Sequence, residues 1–563
     1  MTTTFKKQFR KTSQGAIRIP GKGTHNSGVE AKAARWIPTT CSMCYNHCSV
    51  QVLVRDGVAT AIEGLPGAPP NHGKMCAKGK SGLVGLYSPN RVSTPLKRTN
   101  PKKGVDVDPM WEEISWEQAM ETITAKFVDS IKRNPEGVSV NTFDWPGATS
   151  FSAAFLASFG GTQGGTIPTS SNMFCGRAVH PVAFMLSGSS DQQPDFDYCK
   201  YLLVIGGGYG TGTGTHAMHM AKGLANARVN NGLKMIVVDP CRNASGARAD
   251  EWVPIIPGTD TAFCLAIVNT LINDLDIYDE EFLSRYTNAP YMIMPDGHYA
   301  RDEGTGEPLV LSKSSGKLIA HNKCKLNDAL LEGQTEFKKQ KVTTAFSLFR
   351  EHLKLYTCEF ASGITSIPAS TIRRIAKEFG EASQVGAKVT IDGVTLPLRP
   401  ASVHWYRGIG QHQHGLNNGW AAALIALTVG AVDVPGGHCG TEATGPWGLP
   451  IAGKDGIITH TNPFREMGFS MPPRPAYFDP NDPTLQRMFP ATIGTSSMVG
   501  VTVRIPEKFN MTHKPEILFC SRSNPVKGTG KPEQIAEILR KIPFQVSFVQ
   551  HHEETSQFAD IIL

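Results

Sequence analysis

Residues 41–48 read CSMCYNHC, and after a loop residues 76–80 read CAKGK. Cys41, Cys44, Cys48 and Cys76 thus form a C-x2-C-x3-C-x27-C pattern. Three thiolates on one tight loop and a fourth on a second suit a cubane cluster, whose irons each take one soft sulfur ligand. The first expectation is a 4Fe-4S site. Structural zinc also takes four thiolates, but usually from two matched C-x2-C knuckles, which the uneven spacing and long gap fit poorly. A disulfide framework fits less still, because cysteine is sparse in so long a chain.

The chain has 563 residues and ordinary apolar and charged fractions, enough for several cores. A formal charge of +7 with scattered Lys and Arg does not point to nucleic acid. The remaining cysteines (Cys175, Cys199, Cys241, Cys264, Cys324, Cys358, Cys439 and Cys520) lie far apart, as suits a reducing compartment. No run has the length of a membrane span, and the basic N-terminus has no apolar export region, so a cytoplasmic protein is expected.

Outward from the cysteines, residues 1–34 read as a basic, aperiodic arm, and residues 35–98 as a small β-rich domain containing SVQVLVRDG and VATAIEG. Residues 111–137 carry a helix signal in which Ser115 caps and Gln118 stands three positions on. From Tyr201 the chain reads YLLVIGGGYGTGTGTHAMHMAKGLANARVNNGLKMIVVDP, a strand, glycine loop, helix and strand. Gly206, Gly208 and Gly210 let backbone N–H groups approach a phosphate at a helix start. The loop is not a G-x-G-x-x-G, so an ordinary dinucleotide fingerprint is not supported, and a plain βα turn stays open beside a phosphate site. Asp239 ends the second strand, followed by Arg242, and Asp260 precedes a helical pattern. Both acids are ribose or base candidates, and Asp260 is equally an N-cap candidate. Residues 295–341 read as a polar insertion or surface loop, TSIPASTIRRIAKEFGEA as a capped amphipathic helix, and ASVHWYRGIGQHQHGLNNGWAAALIALTVG as a second α/β unit.

Taken together, the cluster motif, GTD at 258–260, VDVPGG at 432–437, SRSNP at 521–525 and ETSQFADIIL at the end resemble the molybdenum or tungsten bis-pterin oxidoreductases. These form the dimethyl sulfoxide reductase or complex iron–sulfur molybdoenzyme family, and the resemblance runs from Arg35 to Leu563. It implies an α/β fold with a small β-rich cluster domain and two interleaved doubly wound domains. One, spanning 99–200 and 440–510, would surround the metal; the other, 201–439, would hold the pterin nucleotide; residues 511–563 would be a truncated C-terminal segment. The implied cofactors are the 4Fe-4S cluster and a bis(molybdopterin guanine dinucleotide) of Mo or W. Cys175 matches the metal-ligand position, and a thiolate suits a metal already held by dithiolenes. Lys78 matches a bridge between cluster and pterin, and Arg177 and His180 stand near the metal, where a histidine moves protons. Gly258, Thr259, Asp260, Gly408, Gln411, His412 and Asn524 fall in cofactor-lining motifs, with His404, Trp405 and His414 beside them.

The resemblance also implies a C-terminal β-barrel-like domain, which this sequence lacks; it would be a separate polypeptide or lost by truncation. Tyr45 stands where acetylene hydratases have an aspartate, and no histidine directly follows Cys175, which disfavours formate. The implied activity is two-electron redox chemistry on a small molecule, with electrons passing through the cluster to an iron–sulfur or flavin subunit. The alternatives are a non-catalytic iron–sulfur electron-transfer or scaffold subunit, a fragment of such an enzyme, and a zinc-stabilised nucleotide-binding module.

Overall fold

In a computed structural model, residues 34–44, 47–68, 71–133, 137–142, 155, 179–189, 191–209, 217–325, 327–411, 414–441, 449–452, 458–461, 504, 515–528 and 531–563 are described. The N-terminal arm, Cys175, Arg177, Gly210 and His412 lie outside them. The first strands are β1 (Arg35–Thr40), β2 (Ser49–Arg55) and β3 (Val58–Gly64), then the one-turn helix α1 (Ala77–Lys80), α2 (Trp116–Arg133) and β4 (Val138–Thr142). The middle contains β5 (Tyr201–Ile205), α3 (Ala217–Asn230), β6 (Lys234–Val238), β7 (Glu251–Val253), α4 (Asp260–Asn269), α5 (Ala369–Ser383), β8 (Ala401–Trp405) and α6 (Gly415–Thr428). The C-terminal part adds β9 (Ile517–Ser521), α7 (Pro532–Lys541) and β10 (Phe544–Phe548). Two compact units result: Met1–Met173 with Thr444–Leu563, and Phe174–Ala443.

The second unit shows how the sequence builds a doubly wound sheet. Its strands run β7-β6-β5-β8, all parallel, and every residue of β5 and β8 is buried. A parallel strand covered on both faces must be apolar throughout, which YLLVI is. Tyr201, Leu203 and Ile205 join one core with α4, α5 and α6, whereas Leu202 and Val204 face a second core with Met220 and Leu224 of α3. This period of two divides the sheet between two helical layers.

In the first unit, α2 opens with the expected capping box: Ser115 N donates to Gln118 Oε1 at 3.0 Å, and Gln118 N to Ser115 Oγ at 3.2 Å. The helix packs on a six-stranded sheet in which β9 lies between β4 and β10, parallel to both. Two antiparallel strands, Leu96–Arg98 and Trp111–Glu113, extend it beyond the short strand Ile561–Ile562. The described strands close into no barrel.

Three local expectations change. The polar stretch 295–341 is not a loop; it forms the hairpins Leu309–Leu311 with Leu318–Ala320 and Gln334–Phe337 with Gln340–Thr344. Their inward residues Leu309 and Val342 share a small core with Met292 of the neighbouring strand Met292–Ile293, and Lys338 and Lys339 turn the second hairpin at φ of 53° and 62°. Helix α5 has Pro368 at its N-cap with no side-chain cap. Asp260 is the first residue inside α4, with Thr259 as the N-cap.

Candidate functional site

The cysteine motif is the turn of a hairpin. Strands β1 and β2 pair antiparallel up to Thr40 opposite Ser49, so Cys41 and Cys48 face each other at the hairpin's end, joined by Cys41 N to Cys48 O at 2.9 Å. Cys76 arrives on a second loop that Asn71 ties to the start of β2. Its Oδ1 accepts from Ser49 N at 2.9 Å, and its Nδ2 donates to Ser49 O at 3.0 Å. Burial, then the neighbouring Cys41, Cys44 and Cys76, pushes the Cys48 thiol up to about 11. Burial also raises Cys41, with Cys44 and Cys76 adding and Lys78 opposing. All four thiols thus share one electrostatic neighbourhood beside the Lys78 ammonium, a donor set suited to an electron-poor iron–sulfur core. Among the described residues, no three His, Cys, Asp or Glu side chains gather closely enough to hold a single metal ion. Gly79 packs against the cysteine set, since a Cβ there would lie 3.3 Å from Cys41 Sγ.

The second constellation is built at the carboxyl ends of β5 and β8. The chain leaves β5 towards β6 and β7, whereas β8 flanks β5 on its other side, so the sheet's order reverses between β5 and β8. Such a switch point opens a crevice at the strands' carboxyl ends, where ligands of doubly wound sheets bind. Gly206 follows β5 with φ +58°, and Gly408 N donates to Gly206 O at 2.9 Å. A Cβ at Gly408 would lie 2.6 Å from Gly206 Cα. Each glycine is thus required by the other's backbone, and together they hold the two loops at contact distance. Gly408→Ala is expected to cost about 1–3 kcal/mol through overpacking, read by thermal unfolding, and to lower the pterin content of the purified protein.

Polar side chains fix both loops. Asn418, fully buried on α6, donates to Ile409 O at 2.9 Å and Asp260 Oδ2 at 3.1 Å, and accepts from Thr261 Oγ1 at 2.6 Å. Asp260 is therefore held inside the unit between α4 and α6, while Gly258, at φ +85°, turns the chain into α4. Asp239 accepts from Cys241 N at 2.9 Å and Asn243 Nδ2 at 3.1 Å, and burial raises its pKa. Asn243 Oδ1 in turn accepts from Ser245 N at 2.9 Å, and Ser245 Oγ accepts from Tyr209 N at 2.7 Å. The loop after β6 thereby steadies the glycine loop after β5. Arg242, Gly258 and Gln411 are exposed, and Gly208 has no atom nearer than 4.0 Å to a hypothetical Cβ.

Beneath these loops lies a buried aromatic group. The Tyr209 and His404 rings are 5.3 Å apart, His404 and His438 6.0 Å, and Trp405 and His438 4.9 Å. Tyr209 Oη has no hydrogen-bond partner among the described residues, while His438 has a backbone hydrogen bond at Gln192. Burial, with His404 nearby, holds His438 well below the usual histidine range, so the ring is neutral. A buried polar atom left unmatched beside a switch-point crevice suits a polar ligand. Asn418 and Ser245 carried one sequence signal, a polar residue amid apolar or turn residues; Tyr209 and His438 carried none.

In the first unit, Asn524 joins two C-terminal motifs. Its Nδ2 donates to Glu554 Oε2 at 2.7 Å, and its Oδ1 accepts from Thr555 Oγ1 at 2.8 Å and Thr555 N at 3.2 Å. Next to them, burial and the adjacent Glu554 push the Glu553 carboxyl up to about 7. His180 begins the helix His180–Ser187, and the structure describes only its backbone.

The family model for molybdopterin oxidoreductases matches residues 91–563, and that for the molybdopterin oxidoreductase Fe4S4 domain matches residues 34–88. The chain belongs to the molybdopterin oxidoreductase family. This assignment brings a 4Fe-4S cluster and a molybdopterin cofactor with it. The chain is 30% identical to a sulfite dehydrogenase polypeptide of Allochromatium vinosum over 71% of its own length and 43% of the relative's. It is 25% identical to the molybdopterin-containing polypeptide of an arsenate respiratory reductase from a Shewanella species, over 65% of its length and 38% of the relative's. The chain thus spans less than half of these curated relatives. The acetylene hydratase of Pelobacter acetylenicus shares the fold, with a TM-score of 0.58 and 18% identity across 93% of this chain and 62% of that one.

Proposed function

We propose that this molybdopterin oxidoreductase family chain catalyses two-electron redox chemistry on a small molecule at a molybdenum or tungsten centre. Electrons pass through the cluster to or from an iron–sulfur or flavin subunit. The observation that carries this reading is the switch-point crevice, whose two glycine loops are locked together at the carboxyl ends of β5 and β8. Gly206, Gly208, Gly210, Gly408, Gln411 and His412 would line it towards the pterin nucleotide, with Asp239, Arg242, Gly258, Thr259 and Asp260 around it. Asn524, in the first unit, is a further proposed cofactor-binding residue. Cys41, Cys44, Cys48 and Cys76 would ligate the cluster, with Lys78 steering charge towards it.

The pterin-held metal supplies the two-electron couple when bound. Cys175 would complete its ligand set, and Arg177 and His180 would orient substrate and move protons. Sulfite and arsenate, the oxyanions in the relatives' names, are the first substrates to screen. Among the described residues no helix is long and apolar enough to cross a membrane. A reducing, cytoplasmic setting is part of this reading, because the cysteines outside the motif are few and far apart in the sequence. Metal analysis of the anaerobically purified chain tests the reading. About four iron with near-stoichiometric Mo or W is expected, and Cys175→Ser should alter the metal's absorption spectrum. Iron without Mo or W would sink the catalytic reading.

A further inference from the structure

Arg522 is a non-glycine residue in the left-handed region, at φ +52°, directly after β9. Arginine gains nothing locally from that conformation, which a Cβ disfavours and a glycine would occupy freely. A strained backbone that keeps a long side chain points to work done by the side chain. Here the guanidinium reaches the cysteine loop, with Nη2 donating to Ser42 O at 3.1 Å, one residue from Cys41. Arg522 also lies two residues before Asn524, whose amide is committed to Glu554 and Thr555. The turn after the central strand β9 is thus fixed on its far side and extends a fixed charge to the hairpin end that carries Cys41 and Cys48.

From this geometry we infer that Arg522 is a positioning residue for the iron–sulfur cluster. It clamps the Cys41–Cys48 loop through Ser42 O and sets the cluster's reduction potential with a permanent positive charge. The inference rests on the cluster reading of the four cysteines. Reduction adds one negative charge to the cluster, and a nearby cation stabilises the reduced form more than the oxidised one. The donor hydrogen bond also fixes the loop's carbonyl, so the ligand spacing is held before iron arrives.

The test compares anaerobically purified full-length wild type with Arg522→Lys, Arg522→Gln and Arg522→Gly. Iron content, EPR-monitored redox titration of the cluster, and the rate of iron loss to a chelator are measured. Gln and Gly are expected to titrate at lower potential than wild type and to lose iron faster, whereas Lys stays near wild type in potential. The Gly variant separates backbone from charge, because it relieves the left-handed strain while removing the guanidinium. Loss of the cluster in Gln and Gly but not in Lys supports the assignment as well. Wild-type potential and chelation rate in both Gln and Gly would overturn it, as would equal loss of iron in all three variants. A wild-type chain with no iron–sulfur EPR signal would instead overturn the cluster reading itself, and this inference with it.

Discussion

Arg399→Ala is expected to destabilise the 174–443 unit by about 3–5 kcal/mol, the usual cost of leaving one partner of a buried ion pair behind. Arg399 is 4% exposed and Asp279 7% exposed, and the guanidinium Nη2 donates directly to Asp279 Oδ2. Its other nitrogens are equally engaged: Nε donates to Val429 O at 2.9 Å, and Nη1 to Leu398 O at 2.7 Å and Ala387 O at 3.2 Å. Asp279 caps the helix Glu280–Tyr286 through Phe282 N at 2.9 Å, so the pair links that helix to the turns beside β8 and α6. Gly430 leaves room for the carboxylate, since a Cβ there would lie 2.5 Å from Asp279 Oδ2. Removing Arg399 strands a carboxylate and three carbonyls in the interior. In thermal unfolding this should appear as a fall of roughly 10 °C, at two to four degrees per kcal/mol for a unit of this size. The double variant Arg399→Met with Asp279→Asn should recover part of the loss, because it leaves no unpaired charge. A single variant melting with the wild type would refute the role given to the pair.

Cys48→Ala is expected to empty the cluster site. Iron should fall from about four per chain to near zero after anaerobic desalting, because each iron of a cubane needs its own thiolate. Cys48 is the buried member of the set and the end of the hairpin turn, so no other sulfur can move into its place. Folding of the β1–β3 lobe should weaken too, since binding free energy at such a site is also folding free energy. Cys241→Ala, at an exposed cysteine beyond the glycine unit, should leave the iron unchanged. Zinc in place of iron in the wild type would reverse the interpretation of the motif.

The sequence was most legible where one local pattern decides the outcome. The all-apolar YLLVI strand, the glycine turn after it and the Ser115–Gln118 capping box all appear where the pattern puts them. Legibility ended where contacts span long separations. Gly206 and Gly408 both drew attention as loop glycines, yet neither shows in sequence that it exists because of the other. Asp260 looked like a cap because its partner Asn418 lies on another helix. Short hairpins were also passed over. In VTIDGVTLP, Asp392 and Gly393 adopt φ of 48° and 80° and join Lys388–Ile391 to Val394–Pro397, a turn signal hidden in a mixed polar context.

The six-stranded sheet has a consequence for how the chain is made. Strand β9 pairs Ile517 with Val138 of β4, across the whole intervening unit of the chain. On a ribosome, the strands and helices of 174–443 emerge complete while the centre of that sheet is still unsynthesised. Non-local parallel pairing is slow because the entropy of loop closure comes before its contacts form. The inner unit is therefore expected to acquire protection from proteolysis first in stalled nascent chains. The hairpin end carrying Cys41 and Cys48 gains its Arg522 clamp only after the whole 174–443 unit has been synthesised, which sets cofactor loading after the folding of that unit.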